Sequence, residues 1–249
     1  MSYATRYYHF LYGDLRDLDL LSAGVRNNII KALTVLAKYL RVIDAWNSRL
    51  KEYDIKLTRP SVVSTFARML RTSKSDILQW LRQVSKVVRP NESLYLRFCL
   101  LTGLRKAEAE SAFNMIIRLS REGKLSEYYS EELQCLNHFK YSQYLRKTKN
   151  VYISYVHKDL IDQIVRSDPV SYQALRRRLQ RKHYRTRIQD LRSFFATWLV
   201  HHNVVREEAD LVEGRIPGNV FVQFYFTPQF KDLSTRVLNA VRQLEAEIA

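Results

Sequence analysis

At 249 residues the chain has the length of one large or two small domains, and 46% hydrophobic with 27% charged residues is a globular composition, not that of a disordered tail or a rod. Lys and Arg number 41 against 25 Asp and Glu, a net charge of +16 that points to a polyanionic partner, nucleic acid or an anionic membrane surface. No apolar run approaches the ~18 residues of a spanning helix, and residues 1–14 lack an apolar signal core, so the expectation is a cytoplasmic, nucleoid-associated protein with no membrane partner.

In chain order, Val25, Ile29, Ile30, Leu33, Leu36, Ala37 and Leu40 recur at three- and four-residue spacing and predict a helix over 23–40. Further helices are expected at 43–53, 61–70 and 75–87, the first two of these separated by the turn at Pro60. Pro90 disfavours helix at Arg89 and makes 88–92 the candidate linker, which divides the chain into domains 1–88 and 89–249. Both parts are basic, with 16 basic against 7 acidic residues before Pro90 and 25 against 18 from there on, so both are expected to touch one polyanion. After Pro90, helices are expected at 93–101 and 106–121, broken at Gly103. A β-hairpin of 135–144 and 150–156 should turn at Arg146-Lys147-Thr148-Lys149, with helices following at 158–165, 171–181, 188–202 and 233–248. The fold class is mainly α with a small antiparallel β-sheet.

Several chemistries find no residues to run on. Cys99 and Cys135 have no metal-ligand spacing, and the six histidines include no His-x-x-x-His pair, so no metal site is expected. Six glycines write neither a phosphate-cradling loop nor a Gly-x-Ser-x-Gly elbow. The densest basic stretch holds Arg176, Arg177, Arg178, Arg181, Lys182, Arg185 and Arg187 before Asp190 and Arg192. So many like charges repel unless an anion lies nearby, which marks the stretch for the DNA backbone rather than for base readout.

Four further pieces follow one another: Thr102-Gly103-Leu104-Arg105 with Glu108, Lys149 in the hairpin turn, Gln189-Asp190-Leu191-Arg192, and Gly214-Arg215 with Tyr225 eleven residues after the glycine. Together they suit one reaction. A tyrosine hydroxyl attacks phosphorus, arginine forks hold the non-bridging oxygens, and a cation protonates the leaving 5′-oxygen. A phosphotyrosine conserves the bond energy, so rejoining needs no ATP.

This ordered set resembles the tyrosine recombinase (integrase) family, closest in flavour to archaeal viral and plasmid integrases, over about residues 90–249; the helix at 23–40 and Trp46 are looser echoes of its helical core-binding domain. The resemblance implies a core-binding domain followed by a catalytic domain, forming a C-shaped clamp on double-stranded DNA at attachment sites. It also implies self-association on DNA, as a tetramer in the synapse, and no cofactor. In the roles it implies, Arg105, Arg192 and Arg215 stabilise the transition state, Lys149 (with Lys147 as fallback) protonates the leaving oxygen, Glu108 orients Arg105 and Tyr225 is the nucleophile. The helix at 233–248 would dock on a neighbouring protomer or pack on its own domain. The chain departs from the family pattern at Gln189, where histidine is usual, and at Arg215, where histidine or tryptophan is usual, with one extra residue before the tyrosine. A type IB topoisomerase-like enzyme and an inactive DNA-binding module are the alternatives.

Overall fold

A computed structural model describes residues 3–58, 61–71, 74–146, 149–216 and 227–248. The chain is mainly helical with one small antiparallel sheet, and it forms two compact units, Met1–Thr72 and Ser73–Ala249. The division falls at Thr72 and not at the expected Pro90. Residues 74–85 form a helix that contributes Ile77, Leu78, Trp80, Leu81 and Val84 to the larger core, and Pro90 simply occupies the first turn of the next helix.

In the first unit, α1 (Tyr3–Tyr7), α2 (Ala23–Tyr39), α3 (Ile43–Glu52) and α4 (Val62–Arg71) follow one another. The apolar stripe of α2 buries Ile29, Ile30, Leu33 and Ala37 against Trp46 of α3 and against Phe10, Leu15 and Leu18. Trp46 reaches full burial because its Nε1 donates to Thr34 Oγ1 at 3.0 Å.

The second unit continues with α5 (Lys74–Ser85), α6 (Pro90–Thr102), α7 (Lys106–Arg121) and the single turn α8 (Leu125–Tyr128). After the sheet come α9 (Lys158–Val165), α10 (Tyr172–Arg181), α11 (Ile188–His201), α12 (Arg206–Val212) and the last helix, Phe230–Ile248. α6 runs through the middle and is buried on most sides, while α11 lies along it. Trp80 Nε1 donates to the Arg185 carbonyl at 3.0 Å and fixes the approach to α11. The last helix buries Leu233, Val237, Leu238, Val241 and Leu244 within its own unit, as one of the two expectations for it has it.

The sheet pairs β1 (Tyr129–Ser130), β2 (Cys135–Leu136) and β3 (Ser154–Tyr155) in that order, with Cys135 opposite Tyr155 and Leu136 opposite Ser154. The expected hairpin is present as a course of the chain, but most of its first arm is not strand. Residues 138–140 and 142–144 coil into 3-10 turns, so beyond the short ladder only isolated bonds among the described residues join the arms, such as Phe139 N–H to the Tyr152 carbonyl and Val151 N–H to the Tyr144 carbonyl, each 3.0 Å. The coil encloses a polar network. His138 is fully buried, with Nδ1 2.8 Å from Tyr128 Oη and Nε2 2.9 Å from Ser154 Oγ.

Burial drives the His138 imidazole from 6.5 down to about 3. Because the folded value lies below the unfolded one, the unfolded chain takes up the extra proton first, and stability present above about pH 6.5 is lost as pH falls toward 3. The thermal midpoint of the larger unit is therefore expected to drop between pH 6.5 and 5, before most carboxylates titrate, and to stay level over that range in His138→Gln. A level midpoint in the wild type would contradict a neutral buried imidazole.

Candidate active site

Two glycines set the frame. Gly103 ends α6 at φ +62°, and a Cβ there would lie 2.3 Å from Phe195 Cδ1, so only glycine lets α6 meet α11 this closely. The chain then turns into α7 with Arg105 just before its first residue. Glu108, 3% exposed, accepts from the Arg105 main-chain N–H at 3.1 Å and from Arg105 Nη1 at 2.9 Å, which caps the helix and aims the guanidinium. Arg146 Nη2 donates to Glu108 Oε1, the oxygen that also accepts from Arg105 Nη1, while its Nε donates to the Lys149 carbonyl at 3.0 Å. The lysine turn is thereby tied to the start of α7. Lys147 and Thr148 lie outside the described residues.

Gly214 is the second glycine, at φ +73°. A Cβ on it would stand 2.0 Å from the Asn150 carbonyl oxygen, a backbone atom that cannot swing aside. The close approach brings Arg215 up to the turn that carries Lys149. Gly214→Ala combines left-handed strain with this overlap and is expected to cost at least about 2 kcal/mol, lowering the thermal midpoint of a unit this size by roughly 4–8 °C. An unchanged midpoint would mean that the turn is not pinned there.

Arg192, on α11, is 7% exposed. Its Nη1 donates to the Gly103 carbonyl and its Nη2 to the Glu213 carbonyl, both at 2.7 Å, and its Nε lies 3.5 Å from Glu213 Oε1. A guanidinium has five N–H donors, so the fixed bonds orient the group and leave donors for a ligand in the cleft. Arg215 is more open; Nη1 is 3.2 Å from Asp210 Oδ1 and Nη2 is 3.0 Å from Glu213 Oε2. Burial lowers the Arg192 pKa against the pull of Glu213, and burial raises that of Glu213 against the pull of Arg192 and Arg215. Each shift records the desolvation cost of the same buried cluster.

Arg105, Lys149, Gln189, Arg192 and Arg215 line one open cleft of about 500 Å³, together with Lys106, Tyr172, Thr186, Ile188 and Ser193. They arrive from separate segments: the start of α7, the hairpin turn, α11 and the end of α12. Gln189 is exposed on the first turn of α11, one turn before Arg192. Lys106 Nζ stands 5.0 Å above the Tyr172 ring, a cation–π contact that holds a further charge at the cleft wall. Three arginines and two lysines around one hollow make a receptor for an oxyanion. Tyr225 lies outside the described residues.

The basic stretch divides by partner. Arg178 Nε donates to buried Glu92 at 2.8 Å, and Arg187 Nε to Asp190 at 2.8 Å, so these two serve the fold as well as the surface. Arg176, Arg177, Arg181, Lys182 and Arg185 are exposed and have no carboxylate partner among the described residues. Sequence reasoning missed Glu213, Asp210 and the role of Arg146. A single glutamate before a glycine carries no signal of burial, and Arg146 stood in the quoted turn without a stated job. No family model, curated protein or solved structure matches this chain.

Proposed function

We propose that the protein is a tyrosine-type site-specific DNA recombinase, an integrase that cuts and rejoins DNA through a 3′-phosphotyrosine. The observation that carries this reading is the convergence of Arg105, Lys149, Gln189, Arg192 and Arg215 on one cleft. In the proposed reaction Tyr225 Oη bonds to the scissile phosphorus and the bond from phosphorus to the 5′-oxygen breaks. Lys149 Nζ gives its proton to that oxygen, and the phenolic proton passes to water. The arginines hold the non-bridging oxygens, whose charge grows in the transition state. Attack by a 5′-hydroxyl on the phosphotyrosine reverses the steps and rejoins a strand. Gln189 donates a hydrogen bond and exchanges no proton near neutral pH.

Incubation with a nicked suicide duplex in EDTA tests the proposal. A detergent-resistant protein–DNA adduct is expected. DNA binding without any adduct would leave only a binding module, and relaxation by one protomer without site preference would indicate topoisomerase-like activity.

Binding to the duplex is expected to weaken steeply with salt. Each phosphate contact contributes about −0.9 to the slope of log affinity against log salt, and six or more contacts give roughly −5 or steeper. Replacing Arg176, Arg177, Arg181 and Lys182 by glutamine is expected to flatten the slope by up to about 3.6 while changing sequence preference little. A wild-type slope near zero would contradict a polyanion partner.

A further inference from the structure

We propose that Glu213 is a positioning residue, a buried carboxylate that sets Arg192 and Arg215 side by side so that both face one phosphate oxyanion; this rests on the recombinase reading of the cleft. Glu213 grips Arg192 twice, through its main-chain carbonyl at 2.7 Å and through Oε1 at 3.5 Å from Nε. Its other carboxylate oxygen reaches Arg215 Nη2 at 3.0 Å. The side chain is 1% exposed, and among the described residues neither carboxylate oxygen has a donor in hydrogen-bond geometry.

A carboxylate in such a place is costly for the fold, and an apolar side chain would fill the volume without that cost. Among the described residues the ion-pair partners of Glu213 are Arg192 and Arg215, so its charge acts on them. Arg105 and Arg215 each repel Arg192. A negative charge behind Arg192 and Arg215 lets these two stand together before DNA arrives, which is preorganisation of the kind that makes oxyanion sites effective. Asp210 holds the remaining edge of Arg215 from the outside at 3.2 Å. Glu213 touches no reacting atom in this scheme; it acts through the arginines.

The test compares wild type, Glu213→Gln and Glu213→Asp in the full-length protein. Glutamine keeps the shape without the charge, and aspartate keeps the charge but retracts it, so a folded variant remains if one of them fails. The first readout needs no activity. Hydrogen exchange of the Arg192 Nε–H, assigned by its loss in Arg192→Lys, is expected to quicken at least about tenfold in Glu213→Gln and less in Glu213→Asp.

The second readout is single-turnover cleavage of two suicide duplexes, one with an ordinary scissile phosphate and one with a neutral methylphosphonate there. Misplaced arginines are expected to slow Glu213→Gln about a hundredfold on the phosphate. On the methylphosphonate, which has no anionic oxygen to neutralise, Glu213→Gln is expected to stay within about threefold of wild type. Unchanged exchange at Arg192, or an equal slowing on both duplexes, would overturn the proposal. Faster exchange at Arg192 in a protein whose wild type forms no adduct on either duplex would remove the recombinase reading and leave the hold of Glu213 on Arg192 standing.

Discussion

Arg192→Ala is expected to lower single-turnover cleavage by about three orders of magnitude, the scale seen when one preorganised donor is removed from an oxyanion site. The same change removes the donors to the Gly103 and Glu213 carbonyls and strands the Glu213 carboxylate without its nearest buried cation. A loss of roughly 3 kcal/mol in stability is expected alongside, because breaking a buried pair leaves an uncompensated charge. Arg192→Lys separates the two effects, since it keeps a cation near Glu213 but gives up the planar fork. It should recover much of the stability and little of the rate. Gln189→Ala makes the contrast. Gln189 is exposed at the cleft edge, so its loss is expected to slow cleavage only ten- to a hundredfold, about the worth of one hydrogen bond to a charged group, with no change in thermal midpoint. Gln189→His adds a group of pKa about 6.5 and is expected to introduce an acidic limb in the pH–rate profile that the wild type lacks. Equal, near-complete losses in Gln189→Ala and Arg192→Ala would contradict the division of labour between them.

Tyr225→Phe is expected to abolish the covalent adduct while leaving duplex affinity within about twofold, because only the nucleophilic oxygen is lost and affinity for the phosphate backbone comes from cations. An adduct that survives this change identifies a different nucleophile. The cleft itself offers the alternative: Tyr172 lines it, beneath Lys106. Tyr172→Phe would then be the variant that loses the adduct, and the segment around Tyr225 would have no part in the chemistry.

The helices were the most legible part of the sequence. The expected bounds of Lys106–Arg121 and Lys158–Val165 match the structure, and those of α2 and α3 fall within a residue of it. Spacing says less about which core a stripe joins. The face of Lys74–Ser85 that buries Ile77, Leu81 and Val84 reads the same whether it packs on the first unit or the second, so the boundary at Thr72 was hidden and Pro90 drew attention instead. α12 escaped notice because seven residues, acidic at the start, make too short a pattern. In the hairpin, β-forming residues at 151–156 pointed to a ladder, but the side chains of His138 and Tyr144 turn inward to the Tyr128 network and coil the facing arm. At the site, the order of short motifs named five residues that meet in one cleft. The groups that hold them work through contacts across 21 residues (Glu213 to Arg192) and 38 residues (Arg146 to Glu108), or through carboxylates two and five residues before Arg215 (Glu213 and Asp210), and no periodicity records either.

The most direct measurement of the central claim is to form the adduct on a nicked suicide duplex, digest the protein and the DNA, and identify by mass spectrometry the peptide that keeps a nucleotide. The expected product is the peptide containing Tyr225 joined to a 3′-phosphate. A nucleotide on any other residue, a 5′-linkage, or no nucleotide-bearing peptide from a preparation that binds the duplex would contradict strand cleavage by Tyr225 in the cleft of Arg105, Lys149, Arg192 and Arg215.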